Sequence, residues 1–343
     1  MKQLLDIAPY VALDDLTLRE ALVRLNQMDR PFLLVVDTER KLLGTVTDGD
    51  IRRAMIRGTQ LEDPLSDCMH REPVTLRDDV TDVESSLRKV PFVPVLDQRG
   101  QVTSVMLRDS SEILVRDAVV MAGGLGTRLG AITKQVPKPL LPVADRPILD
   151  HVLANLEAAG VERIWITVNH LAEQIEQFAV GREGPAKLEI LCEDQRLGTA
   201  GALGLVTDAP TQPFLVVNGD VLTDVDFQAM SAFHSRHDYD GTIAVAYHQV
   251  QVPFGVVSHD GGVFSGIDEK PVLRHFVAAG IYLFSPEVLN LVPGNQPMDM
   301  PHLLNEARSI GLRMGLFPIH EYWTDVGRPE DLSAADAHHR RGD

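Results

Sequence analysis

The stretch Asp117-Ala118-Val119-Val120-Met121-Ala122-Gly123-Gly124-Leu125-Gly126-Thr127-Arg128-Leu129 decides the fold of the larger part of this chain. A short apolar run that ends in a cluster of glycines reads as a buried strand entering a tight turn. Glycine has no Cβ, so backbone N–H groups in such a turn can come up against phosphate oxygens. Two common phosphate-binding patterns fail here. The dinucleotide pattern G-x-G-x-x-G wants a glycine where Leu129 stands, and the P-loop wants a lysine after its second glycine, which does not follow Gly130.

Outward from this turn, strand and helix patterns alternate. Strands are predicted at Ala118 to Met121, Ile164 to Val168, Leu188 to Cys192 and Phe214 to Val217, and helices at Ile148 to Ala159, Leu171 to Phe178 and Thr199 to Val206. Such alternation predicts an α/β domain with a mainly parallel sheet covered on both faces. After Asp220 the sequence turns β-rich (Thr242 to Tyr247, Gly255 to Val257, Val277 to Phe284), and it closes with helices near Met300 to Ser309 and Pro329 to His338.

The string from Gly123 to Leu129, followed by Lys138-Pro139-Leu140-Leu141-Pro142-Val143, resembles the sugar-1-phosphate nucleotidyltransferases, among them the mannose- and glucosamine-1-phosphate guanylyltransferases. Further blocks recur in that family's order over residues 117–338. The resemblance implies a Rossmann-like, GT-A-like mixed-sheet catalytic domain that joins an NTP to a hexose or amino-hexose 1-phosphate and releases pyrophosphate. It places Gly123, Gly124, Gly126 and Thr127 on the nucleotide, Arg128 on the leaving pyrophosphate and Lys138 near the α-phosphate. Asp220, in Val216-Val217-Asn218-Gly219-Asp220, and Asp325, in Trp323-Thr324-Asp325-Val326-Gly327, become carboxylates for Mg²⁺, a cation that takes hard oxygen ligands and rarely has an all-protein cage. Taken singly, each Asp also reads as a turn or cap residue. Glu269-Lys270-Pro271 and Gly255 fall on the sugar-phosphate side. Val277-Ala278-Ala279-Gly280-Ile281-Tyr282 departs from the family's frequent V-N-A-G-I-Y, which leaves the sugar open.

The block Glu193-Asp194-Gln195-Arg196-Leu197-Gly198-Thr199 bears on the base. Thymidylyl and uridylyl members commonly hold Gln where Glu193 stands, five residues before the base-packing Gly198. A carboxylate only accepts, and guanine offers two adjacent donors, so GTP is predicted. Two alternatives stand beside it: UTP or dTTP as the substrate, and Glu193 as a cap for the helix near Gly198. A nucleotide-sensing protein without catalysis is the rival from another class.

The first 110 residues repeat internally at an offset of 60: Pro31-Phe32 falls on Pro91-Phe92 and Asp37 on Asp97. Each copy reads as an amphipathic helix (Leu18, Ala21, Leu22, Leu25; then Val80, Val83, Leu87) and two strands (Phe32 to Val36 and Leu42 to Val46; then Phe92 to Leu96 and Val102 to Met106). Gly44-Thr45-Val46-Thr47-Asp48-Gly49-Asp50-Ile51 resembles the cystathionine-β-synthase (CBS) domain. That implies an α+β tandem pair over residues 1–112, an adenine nucleotide effector held by Thr47 and Asp50, and a homodimer or higher homo-oligomer. The second copy has Ser104, Leu107 and Ser110 at the matching positions, so its ribose site is predicted lost. Plain helix capping by Asp48 and Asp50 is the alternative.

Composition narrows the partners. A net charge of −17 opposes a nucleic-acid backbone, and the excess is uneven: residues 1–116 hold 20 acidic and 16 basic side chains (net −4), residues 117–343 hold 29 and 16 (net −13). No apolar run approaches a membrane span and the N-terminus lacks a secretory h-region, so a cytoplasmic chain is expected. Cys68 and Cys192 read as reduced and structural, and none of the 12 histidines falls in a zinc or catalytic pattern.

Overall fold

The computed structural model describes residues 2–26, 28, 30–77, 86–87, 90–108, 115–130 and 132–342. The chain divides into two compact units, Met1–Glu112 and Ile113–Asp343.

In the first unit the repeat is visible down to its turns. The hairpin Phe32–Val36 with Leu42–Thr47 and the hairpin Phe92–Leu96 with Val102–Leu107 carry register shifts at equivalent places, Val35/Val36 and Val95/Leu96. In each turn an aspartate closes the loop: Asp37 Oδ1 accepts from the N–H groups of Glu39 and Lys41, and Asp97 Oδ1 from those of Arg99 and Gln101. The two copies meet through equivalent rings, since Phe32 stacks on Phe92 with centroids 4.1 Å apart. Leu18, Ala21, Leu22 and Leu25 of the helix Leu18–Asn26 are buried, as its period predicts. Of the predicted second helix, Val80 and Val83 lie outside the described residues, and Leu87 is helical and buried.

The second unit is built on a seven-stranded sheet whose spatial order is Lys187–Cys192, Arg163–Val168, Asp117–Met121, Phe214–Asn218, Val272–Phe284, Gly241–Gln251, Met314–Pro318. Six strands run parallel to one another and Val272–Phe284 alone runs against its two neighbours. The central strands are apolar along their middles: Ala118, Val119, Val120, Ile164, Ile166, Leu215 and Val216 are wholly buried. The helix Ile148–Ala158 lays Leu149, Leu153 and Leu156 into this core. Its Asn155 donates to the Thr223 carbonyl at 2.6 Å and so holds the strand that follows Asp220.

Two expectations shift. The predicted helix over Thr199 to Val206 is one α turn, Gly198–Gly201, running into a 3₁₀ turn, Ala202–Leu205. Cys68 is buried as expected, its thiol pushed up to about 12 by burial and by the Asp50 charge; Cys192, read as structural, is instead exposed at the end of an edge strand.

Because equivalent rings join the two copies, Phe92→Ala should remove about 3 kcal/mol from the stability of the N-terminal unit. Hydrogen exchange at the Leu34 and Val105 amides would report it as faster opening, while exchange at Val119 in the second unit stays as it was.

Candidate functional site

The chain turns at the C-terminal tips of Asp117–Met121 and Phe214–Asn218, adjacent parallel strands at the centre of the sheet. The connection from Asp117–Met121 leads to one side of the sheet, whereas Phe214–Asn218 lies on its other side. This is the crevice in which open α/β sheets take ligands. The glycine run fills one wall. Gly126 has φ +62°, and a Cβ there would stand 2.9 Å from Thr133 Cγ2, while the Thr133 hydroxyl donates to the Gly126 carbonyl at 3.0 Å. Only glycine meets both demands. Gly124 faces open space.

Lys138 reaches the centre from the turn that follows. Its side chain is 7% exposed, and its Nζ donates to Asp220 Oδ2 and, at 3.2 Å, to Asp325 Oδ1. The two carboxylates come from adjoining backbone: Val221 pairs with Asp325 across an antiparallel ribbon, and the Val326 N–H donates to the Asp220 carbonyl at 3.1 Å. Arg128 approaches from the glycine turn, with Nη2 3.5 Å from Asp325 Oδ2. Asp220 Oδ1 is buried and has no hydrogen-bond partner. Burial pushes the Asp220 carboxyl up; Lys138 counters this and the charge of Asp325 adds to it.

A helix at the end of the chain ties these parts together. Asp336, on Pro329–Gly342, accepts from the Ala144 N–H at 2.8 Å, and Arg340 pairs with Asp145, which fixes the turn after Lys138. The same helix stacks His338 on Tyr322, three residues before Asp325, with centroids 3.6 Å apart. Asp331 accepts from the N–H groups of Gly327 and Arg328 just after it.

The result is a cavity of about 380 Å³ whose lining includes Gly124, Gly126, Thr127, Arg128, Lys138, Arg196, Gly219, Asp220 and Gly327. Three cations, Arg128, Lys138 and Arg196, stand with two carboxylates, Asp220 and Asp325, so the place carries a local excess of one positive charge in an acidic chain. Among the described residues no group of three or more His, Cys, Asp or Glu is arranged for a metal. Asp220 and Asp325, with an unsatisfied buried oxygen, fit a hard cation that completes its shell from a substrate's oxygens.

Other candidate residues stand elsewhere. Glu193 does not line the cavity. Its Oε2 accepts from the Leu197 N–H at 3.0 Å, and a Cβ on Gly123 would fall against its Oε1. Burial is the main cause that raises its carboxyl above the usual range. Gly198 (φ +78°) and Thr199 pack on Met298 to Met300: the Thr199 N–H donates to Asp299 Oδ1 at 3.2 Å, and its hydroxyl accepts from the Met300 N–H at 2.8 Å. Gly255 and Glu269 face each other in the exposed hairpin Gly255–Asp260/Val263–Glu269, where a Cβ on Gly255 would stand 2.9 Å from Glu269 Oε2; Lys270 follows at φ +50°. In the first unit, Thr47 and Asp50 form a reciprocal cap on the helix Asp48–Ile56, and Asp50 also pairs with Arg53. Sequence reasoning assigned no role to Arg196, Asp336 or Tyr322. Nothing in their spacing marks them, because each acts on a partner distant in the chain or across a cavity.

A model of the nucleotidyl transferase family matches residues 117–341, and a CBS domain model matches residues 3–57. The mannose-1-phosphate guanylyltransferase catalytic subunit beta of Drosophila pseudoobscura pseudoobscura is 33% identical over 223 residues, 63% of this chain and 60% of that protein. The mannose-1-phosphate guanyltransferase of Aspergillus oryzae is 35% identical over 231 residues, 63% of this chain and 62% of that protein. The chain thus spans about three fifths of the length of these relatives. The crystal structure of HddC from Yersinia pseudotuberculosis superposes with a TM-score of 0.53 at 26% identity, over 66% of this chain and all of that one. A second HddC structure, complexed with GMP-PN, gives 0.52 at 25% identity over the same shares.

The contacts of Thr199 separate two roles. Thr199→Val should lower thermal stability by about 1 kcal/mol through the lost hydroxyl acceptor of the Met300 N–H, while the Thr199 N–H still donates to Asp299; nucleotide affinity should hold because the backbone is unchanged. Calorimetric titration that shows lost affinity at unchanged melting would return this residue to the nucleotide.

Proposed function

Because this chain belongs to the nucleotidyl transferase family, we propose that it is a Mg²⁺-dependent sugar-1-phosphate guanylyltransferase, acting on a hexose or amino-hexose 1-phosphate. The observation that carries this reading is the contact of Lys138 with both Asp220 and Asp325 beside the glycine turn. In the reaction an oxygen of the sugar 1-phosphate attacks the α-phosphorus of GTP in line. The new P–O bond forms as the bond to the β-phosphate oxygen breaks, and pyrophosphate leaves with the electron pair. Such chemistry depends on positioning and on neutralising charge.

Each residue has a share in this. The backbone from Gly123 to Thr127 borders the phosphates, Arg128 offers a planar cation to the leaving pyrophosphate, and Lys138 turns its ammonium to the α-phosphate. Asp220 and Asp325 would hold Mg²⁺, which when bound supplies charge to the phosphate oxygens. On this reading Gly255 and Glu269 meet the sugar, and Lys270 serves the sugar's phosphate. Gly198 and Thr199 shape the base side, and Glu193 retains lone pairs for guanine N1–H and N2–H. In the N-terminal unit an adenine nucleotide effector at Thr47 and Asp50 would have to open the cap that now joins them, and a homodimer is the expected assembly. Among the described residues no helix is long and apolar enough to cross a membrane.

The test is pyrophosphate release with Mg²⁺, each NTP in turn, and a set of sugar 1-phosphates headed by mannose 1-phosphate. Release with GTP is expected, and Asp220→Asn and Asp325→Asn should each lower it on the order of 10²-fold or more. No release with any NTP would sink the enzyme reading; preference for UTP would refute the base.

A pH profile adds a second check. Asp220 must be ionised to hold a cation, yet burial raises its carboxyl above the ordinary range. Relative to the unfolded chain the ligand-free fold therefore binds this proton more tightly, and the stability this contributes is lost as pH rises through the raised value. The acid limb of kcat/KM should accordingly lie above pH ~4, the ordinary aspartate value, and a limb at or below it would contradict this role.

A further inference from the structure

We propose that Arg196 is the residue that selects guanine, donating its guanidinium to O6 and N7 of the base; this rests on the GTP reading above. Three observations lead there. Arg196 lines the cavity together with Arg128, Lys138 and Asp220. Among the described residues its guanidinium makes no hydrogen bond or salt bridge; its charge acts on the nearby Glu193 carboxylate, which leaves its donors for a ligand. The backbone that presents it is nonetheless fixed on both sides. Gln195 Nε2 donates to the Asn295 carbonyl at 3.1 Å, the Met298 N–H donates to the Leu197 carbonyl at 2.9 Å, and the Met298 carbonyl takes the N–H groups of Ala200 and Gly201. A donor whose backbone is already ordered loses little freedom on binding.

The sheet order says which end of a nucleotide this wall meets. Asp220 follows Phe214–Asn218, whereas Arg196 follows Lys187–Cys192, three strands away in the sheet. With strands ~4.8 Å apart, the roots of the two loops are separated by roughly 14 Å. That is more than a phosphate group spans and suits a nucleotide laid across the strand tips, α-phosphate at Lys138 and base toward Arg196. The planar fork of arginine matches the adjacent acceptors O6 and N7 of guanine. Adenine places a donor, its amino group, where O6 would be, and a uracil ring has no such acceptor pair. Glu193, held beneath Gly123 by the Leu197 N–H, lies behind this wall and has only its remaining lone pairs for the opposite edge of the base.

The experiment uses the full chain and calorimetric titration with GTP, 7-deaza-GTP (which lacks N7), ITP (which keeps O6 and N7) and UTP, with pyrophosphate release measured in parallel. The wild type should bind 7-deaza-GTP about tenfold more weakly than GTP; ITP, which lacks only the N2 donor offered to Glu193, keeps O6 and N7 and should lose the same factor as GTP in Arg196→Ala. Arg196→Ala should bind GTP about tenfold more weakly and no longer distinguish it from 7-deaza-GTP, with melting unchanged because the side chain is exposed and unbonded. Arg196→Lys, a point charge without the fork, should fail to restore the distinction. Equal loss for every nucleotide in Arg196→Ala would place this cation on phosphate and overturn the proposal, as would wild-type indifference to N7. Binding that discriminates as expected without any pyrophosphate release would fault the catalytic reading and leave the assignment of Arg196 standing.

Discussion

The second unit depends on one buried ammonium. Lys138 Nζ sits between Asp220 and Asp325, and without it two carboxylates on adjoining backbone would face each other with one oxygen already stripped of partners. Like charges so placed raise one another's proton affinity and push the strands apart. A cation shared between them holds the pair close, and it holds the glycine turn close as well, since Lys138 and Gly126 pack side by side. The two carboxylates and the ammonium between them thus form one charged centre, in which Asp220 Oδ1 alone has no partner.

Such a centre needs support from outside itself. The C-terminal helix provides it by touching two segments remote in sequence, the Ala144–Asp145 turn beyond Lys138 and the Tyr322–Arg328 strand and loop around Asp325. On the other wall, the segment from Asn295 to Met300 supports the loop from Gln195 to Gly201 in the same way. Two remote segments therefore frame one cavity, and the floor between them is the rigid parallel part of the sheet.

The charge distribution follows from this plan. An acidic chain repels anions in general, which suits a protein that must take up one kind of anion at one place. Arg128, Lys138 and Arg196 reverse the field over a cavity of about 380 Å³ and nowhere need a larger basic surface.

The sequence by itself determined what local chemistry determines. Glycines after an apolar strand make a turn that admits phosphate, the periods of the helices place Leu149, Leu153 and Leu156 inward, and the offset of 60 between the two N-terminal copies reappears in their turns and register shifts. Each of these depends on neighbours a few residues away, or on a pattern that repeats. Only the tertiary structure decided which side chains share a site. Lys138 and Asp325 are 187 positions apart, and their contact exists because a ribbon and a terminal helix bring them together. The same is true of Glu193 and Thr199, residue types expected beside a base, whose oxygens also engage Leu197 and Met300. Arg196, an unremarked residue between them, reaches the cavity. Side-chain type can be read along a chain, whereas partnership is settled by packing, and packing is a property of the whole fold.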